Sequence, residues 1–372
     1  MSRIHNFNAG PAVLPEPVLR QAQQDLWDIA GSGMGILEHS HRGKLFERII
    51  TEAEEETRRL AGVPENYRIL FLQGGASLQF TMVPMNLLPP GRTADYLVTG
   101  VWSQKALKEA KLFGPTHVAL TGEASGFSEI PPADRIRYSE NPAYVHLTTN
   151  NTIYGTQWKT EPPVPPGAPL VADTSSDMFS RPIDVARYGL IYAGAQKNLG
   201  PSGIVLVIVR DDLVEVGPTS LPTMLQYRTF AREKSLYNTP PTLAIYVVRL
   251  VLRWIRERGG LTAMGERNAE KAGLLYCFLD QSEFYRGTAH PGSRSLMNVC
   301  FRAPTPELEA EFCAEASRHG LEGLKGHRSV GGMRASLYNA CERESVLALV
   351  EFMKQFEREH ATALAAHPAP GS

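Results

Sequence analysis

Between Tyr67 and Val209 short runs that are apolar at nearly every position alternate with longer amphipathic stretches. The runs 69–72, 95–99, 117–120, 144–148, 170–172, 190–193 and 204–209 lack the in-out alternation of a half-exposed strand, so they suit strands covered on both faces. Helix-length patterns separate several of them, at 103–112 and after Gly75. This alternation predicts an α/β fold whose large domain holds a mostly parallel seven-stranded sheet flanked by helices.

The pattern changes on either side. Residues 44–60 form a densely charged helical stretch, and 243–258 place apolar residues at helical spacing before Gly259-Gly260, a helix stop and hinge. Beyond it, helix (261–279), strand (297–302), helix (306–319), strand (333–337) and helix (343–358) predict a smaller α+β domain. We therefore divide the chain into a large domain, 16–258, and a small one formed by 1–15 with 259–372. The Pro-rich stretch 161–169 reads as a rigid surface connection and 367–372 as a frayed tail.

Composition narrows the function. With 38 Lys+Arg against 39 Asp+Glu among 372 residues, the net charge of -1 leaves no field to attract a nucleic acid. No apolar run approaches the roughly 20 residues that span a bilayer, and the start of the chain lacks the apolar core of a signal peptide. A soluble, cytoplasmic protein that meets no membrane is expected. Cys277, Cys300, Cys313 and Cys341 are far apart with no Cys-x-x-Cys pair, so neither a metal site nor a disulfide framework is indicated. Their places in predicted helices and strands suggest core packing.

Two residues stand out at the ends of buried runs. Lys197 follows the run 190–193 inside a loop of small residues; it is either an ordinary loop lysine or a desolvated amine able to condense with an aldehyde. Asp173 ends the run 170–172, where it is either a loop cap or a carboxylate able to keep a pyridine nitrogen protonated. The pair, one β-unit apart, is more specific than either member. Gln73-Gly-Gly-Ala-Ser runs from strand to helix through two glycines, a turn that presents free N–H groups and the positive end of a helix to a phosphate. Trp102, just after another strand, either fills core or stacks on an aromatic ring.

Taken with further segments, these residues resemble the phosphoserine aminotransferases, pyridoxal 5'-phosphate (PLP) enzymes of fold type I and class V. The likeness runs almost end to end through Asn6-Phe-Asn-Ala-Gly-Pro-Ala, Glu38-His-Ser-His-Arg, Gln73-Gly-Gly-Ala-Ser, Thr99-Gly-Val-Trp-Ser, Asn150-Asn-Thr-Ile-Tyr-Gly-Thr, Asp173-Thr-Ser-Ser, Gln196-Lys, Tyr237-Asn-Thr-Pro and Gly326-His-Arg-Ser-Val-Gly-Gly-Met-Arg. The resemblance implies an aspartate aminotransferase-like fold, a homodimer with shared sites, and PLP held as a Schiff base on Lys197. It further implies that Asp173 pairs with the pyridinium nitrogen, that Trp102 stacks on the ring, and that Thr152 lies near the phenolic oxygen. Ala76, Ser77 and Gln196 would bind the phosphate, joined by Asn238 and Thr239 of the neighbouring subunit. Some relatives carry arginine where this chain has Ser77, so a positive charge is absent there.

The implied activity moves the amino group of L-glutamate to 3-phosphohydroxypyruvate, giving O-phospho-L-serine and 2-oxoglutarate, and extends to the phospho-hydroxythreonine pair of pyridoxine biosynthesis. Such substrates carry an anion at each end, which arginine holds best through paired charge-assisted bonds. Arg334, on a predicted strand of the small domain, is assigned the α-carboxylate. His41, Arg42, His327 and Arg328 are candidates for the distal phosphate or γ-carboxylate. A serine–glyoxylate aminotransferase is the rival reading. A cysteine desulfurase is disfavoured because no cysteine lies in a Gly-rich loop.

Overall fold

The structure, a computed structural model, describes residues 3–366, with side chains through 360. The apolar runs form seven strands: β1 (Tyr67–Gln73), β2 (Thr93–Val98), β3 (Thr116–Thr121), β4 (Pro142–Thr148), β5 (Leu170–Asp173), β6 (Leu190–Gly194) and β7 (Ile204–Arg210). They pair in the order β1-β7-β6-β5-β4-β2-β3. Strand β7 is antiparallel to both neighbours and every other pair is parallel, so the mostly parallel sheet is present.

Uniformly apolar strands reflect cover on both faces. Along β7, Leu206 and Ile208 enter one core while Val205, Val207 and Val209 enter the other, because successive side chains point to opposite faces. The first core is closed by the helices Lys44–Ala61 and Thr242–Glu257, which pack on each other. The charged helix turns Phe46, Ile49, Ile50 and Ala53 inward and two of its carboxylates toward the second helix, pairing Arg249 with Glu52 at 2.6 Å and Arg256 with Glu56 at 3.0 Å. The second core is closed by Gly75–Leu87 and Val101–Ala110.

A third core gathers Phe7, Leu275, Phe301, Phe312, Leu337 and Phe356. Around it lie the antiparallel strands Arg286–Gly287, Asn298–Arg302 and Met333–Ser336 and the helices Gly260–Gln281, Pro306–Arg318 and Arg343–Ala366. The N-terminal strand His5–Asn6 joins this region by pairing with Leu321–Glu322. Gly259 and Gly260 take φ of +97° and +72°, a left-handed joint that ends one helix and starts the next at Gly260 itself.

The expectation of core cysteines needs one correction. Cys300 and Cys341 are buried and Cys313 half-buried, but Cys277 is exposed, because it lies on the outward side of its helix. The residues 367–372, read above as a frayed tail, lie outside the described residues.

Candidate active site

Strands β1, β5 and β6 all point the same way, since β1 and β6 are each antiparallel to β7. Their last residues, Gln73, Asp173 and Gly194, therefore share one edge of the sheet, the edge where open α/β sheets bind ligands. A cleft of about 420 Å³ opens there, lined among others by Gly75, Ala76, Trp102, Asp173, Gln196 and Lys197.

Lys197 sits in the tight turn leaving β6, where Gly200 N–H donates to Ala195 O at 2.8 Å. Its Nζ donates to Thr152 Oγ1 at 2.7 Å and lies 5.7 Å from the centre of the Trp102 ring. Burial pushes the amine down to about 8, helped by the Arg334 charge and opposed by Asp173. Asp173, only 4 % exposed, has its carboxyl raised by burial against the opposing pull of Ser175 and Lys197. Ser175 donates to Asp173 Oδ1 from its backbone N–H at 3.0 Å and from its hydroxyl at 2.6 Å. Gly194 N–H in turn donates to that hydroxyl oxygen at 3.0 Å, which leaves Ser175 with one role. Oδ2 has no partner among the described residues, and Asp173 lines the cleft.

Opposite the strand ends, the helix Gly75–Leu87 starts without any side-chain cap. The backbone N–H groups of Gly75, Ala76 and Ser77 have no backbone acceptor among the described residues, so they and the helix dipole form a cradle for an anion. The cradle depends on missing side chains: a Cβ on Gly194 would stand 2.8 Å from Gln196 Oε1 and 3.5 Å from Ala76 N.

Thr152 lies in the turn between the short paired strands Asn150–Asn151 and Thr156–Gln157. Its hydroxyl holds Lys197, and its carbonyl accepts from Arg334 at 3.1 Å. One residue thus fixes the separation of the amine and the guanidinium, whose Nε is buried without a partner. His327 stands on the same side, half-buried, with Nδ1 2.7 Å from Ser329 Oγ. Burial and the charges of Arg334, Arg328 and Lys105 hold its imidazole below the usual range. Arg328 is exposed.

Four candidates stay apart from these. His41, Arg42, Asn238 and Thr239 line neither the cleft of Lys197 nor the cavity lined by His327 and Arg334. His41 Nε2 and Asn238 Oδ1 are nevertheless buried with no partner among the described residues. Residues that sequence reasoning passed over also shape the site. Ser175 aims Asp173, and an aspartate with a serine two residues on is the pattern of an Asx turn, a signal that could have revealed it. Asn150 Nδ2 donates to Ser176 Oγ and to Asn298 Oδ1, both at 2.8 Å, and Asn298 donates to Ser336 Oγ at 3.0 Å. That buried network ties the Thr152 turn to the strand of Arg334. Among the described residues no group of three or more His, Cys, Asp or Glu is placed to hold a metal ion.

Residues 4–349 match the family model for class-V aminotransferases. The chain belongs to that family. This class-V aminotransferase is 55% identical to the phosphoserine aminotransferase of Geobacillus kaustophilus, over 97% of its own length and 100% of the relative's. Among solved structures it is similar to the phosphoserine aminotransferase from Bacillus circulans subsp. alkalophilus (53% identical, 96% of this chain and 99% of that chain, TM-score 0.95). It is also similar to the PLP-bound phosphoserine aminotransferase from Trichomonas vaginalis (40% identical, 95% and 100% covered, TM-score 0.91).

The class-V site suits PLP on its own geometry. An unpartnered carboxylate oxygen faces the cleft, an indole forms one wall, an uncapped helix start offers three free N–H groups, and a desolvated amine stands between them.

Proposed function

We propose that this aminotransferase carries PLP as a Schiff base on Lys197 and acts as a phosphoserine transaminase (EC 2.6.1.52), moving the amino group of L-glutamate to 3-phosphohydroxypyruvate. The observation that carries the reading is Thr152, which holds a desolvated lysine amine through its hydroxyl and a partly free arginine through its carbonyl. An amine and a carboxylate anchor at fixed separation are what an α-amino acid requires. Family membership and the names of relatives that match almost end to end support the phosphorylated substrate.

When bound, PLP supplies a protonated ring that draws electrons from the substrate α-carbon. The protein does the rest. Asp173 would keep the ring nitrogen protonated, and Ser175 fixes that carboxylate through Oδ1, leaving Oδ2 without a partner among the described residues. Trp102, which lines the cleft, would cover one face of the ring. The N–H groups of Ala76 and Ser77, with Gln196, would hold the phosphate, the helix start standing in for the charge that Ser77 lacks. Lys197 Nζ is placed to move the proton at the substrate α-carbon, as base and then acid, and its tether would make this an intramolecular step. Arg334 binds the α-carboxylate, and His327 with Arg328 takes the distal anion.

The same reading makes the enzyme a homodimer in which Asn238, Thr239, His41 and Arg42 complete the partner's site. Its support is the segment leading to His41, which exposes four large apolar side chains, Leu26, Trp27, Met34 and Leu37, by 43%, 86%, 44% and 60%. It also includes activity on the phospho-hydroxythreonine pair and a place in the cytoplasm, whose reducing conditions suit four free cysteines. The division into 16–258 and 1–15 with 259–372 is kept, supported by the separate third core.

Borohydride reduction of the PLP-loaded enzyme followed by peptide mapping tests the core of this reading. Label is expected on Lys197 alone, and Lys197→Ala should fold, take no label and lose transamination. Label elsewhere overturns the assignment. Assay of phosphohydroxypyruvate beside glyoxylate and pyruvate separates it from the serine–glyoxylate alternative, which a preference for the unphosphorylated acids would favour.

A further inference from the structure

Lys271 is buried to 3 % exposure, in the middle of the helix Gly260–Gln281. Its Nζ donates to three backbone carbonyls of one turn, Leu337 O at 3.1 Å, Tyr338 O at 2.8 Å and Cys341 O at 2.8 Å. No carboxylate pairs with it among the described residues; Glu342, whose charge acts on it, is engaged with Arg258 at 3.2 Å. A buried charge normally needs a counter-charge. Converging carbonyls without a carboxylate are instead how proteins replace the hydration shell of a monovalent cation.

The turn so held connects both halves of the site. Leu337 and Tyr338 continue the strand that carries Arg334. Asn339 N–H donates to Asn198 Oδ1 at 3.0 Å, and Asn198 is the neighbour of Lys197. Asn268, one turn before Lys271, donates to Asn339 Oδ1 and to Ser180 O, both at 2.8 Å. Tyr338 Oη donates to Ala9 O at 2.8 Å. We infer that Lys271 is a tethered cation: its ammonium fills a carbonyl cage in the 337–341 turn and so sets the position of Arg334 relative to Lys197. It is a positioning residue, and the inference rests on the reading of Arg334 as the carboxylate anchor.

Chemical rescue tests it in the PLP-loaded enzyme. Lys271→Ala deletes the atoms of n-propylammonium, and a cavity of about 180 Å³ beside Lys271, bordered by Arg267, Glu270 and Glu342, gives that ion a way in. Without the cation, Tm should fall by roughly 5–10 °C and KM for glutamate should rise about tenfold, with kcat moving less. Millimolar n-propylammonium should restore at least half of each loss with saturation, while tetramethylammonium, which has no N–H, should restore none. The parent in the same amine corrects for reaction with the cofactor aldehyde. Lys271→Met, which fills the space without a charge, should keep the raised KM and ignore propylammonium.

No recovery of Tm overturns the cage. Recovery of Tm without recovery of KM, or a Lys271→Met enzyme with the parent's KM, overturns the link to Arg334. Should the parent fail to use glutamate at all, the functional reading falls with that link, while the melting result still decides the cage.

Discussion

Lys197 and Asp173 are each displaced from their ordinary protonation, in directions that can be measured separately. With its amine near 8, roughly one Lys197 in ten is neutral at pH 7, against about one in three thousand for an amine at the usual 10.5. In the cofactor-free enzyme the rate of PLP attachment, followed by absorbance, should rise about tenfold per pH unit and level off near pH 8; a rise that continues to 10.5 contradicts the desolvated amine. Asp173 carries the opposite lesson. Its folded form holds the proton more tightly than the unfolded one, so stability falls as pH climbs from the ordinary carboxylate range through the raised value. At neutral pH the bare carboxylate is therefore a cost to the cofactor-free fold. Asp173→Asn keeps an acceptor for Ser175 and should raise the cofactor-free Tm by about 1–4 °C while lowering kcat by about a hundredfold or more. A lower Tm would show that the carboxylate is there for stability.

The turn from β1 into the helix Gly75–Leu87 works through backbone shape. Gly74 takes φ of +94°, and a Cβ there would stand 2.6 Å from Leu78 Cδ2, whereas a Cβ on Gly75, at φ +64°, meets nothing within 4 Å. The two glycines should thus differ. Gly75→Ala costs only the left-handed backbone, about 1–2 kcal/mol. Gly74→Ala adds the clash with Leu78, shifts the helix start, and should weaken PLP binding about tenfold more than Gly75→Ala. Equilibrium dialysis with PLP and urea melts on both variants separate a moved cradle from a merely less stable one, and equal PLP affinities would remove the cradle from the account.

His41, Arg42, Asn238 and Thr239 line neither the cleft of Lys197 nor the cavity of Arg334, and so call for a second copy. If His41, Arg42, Asn238 and Thr239 serve the partner's site, two inactive variants should complement each other. Mixed and reassorted, Lys197→Ala and the double variant Arg42→Ala/Asn238→Ala form hybrids with one intact site, so about a quarter of the parent's activity should return. No recovery in verified hybrids would place all the working residues on one chain. Trp27→Asp should prevent assembly, and sedimentation should then report a monomer.

Much of this was legible in residue order. Apolar periodicity reports burial, and burial on both faces marked all seven strands to within a residue or so at most ends. Strand ends inherit their neighbours' positions, so residue order alone places Asp173 and Lys197 at one edge. Pairing order was not legible: the reversal of β7, which brings Gln73 to the same edge as Gly194, follows from hydrogen bonds between segments more than a hundred residues apart in sequence. Nor was the polar interior. Asn150 meets Asn298, and Lys271 meets the carbonyls of 337–341, because folding brought distant donors to acceptors that had lost their water. Local sequence thus determined which segments are buried and where the reactive groups end each strand, since both depend on near neighbours in the chain. Only the tertiary structure decided which buried polar groups satisfy one another, since an unmet hydrogen bond is costly wherever its partner lies in the sequence.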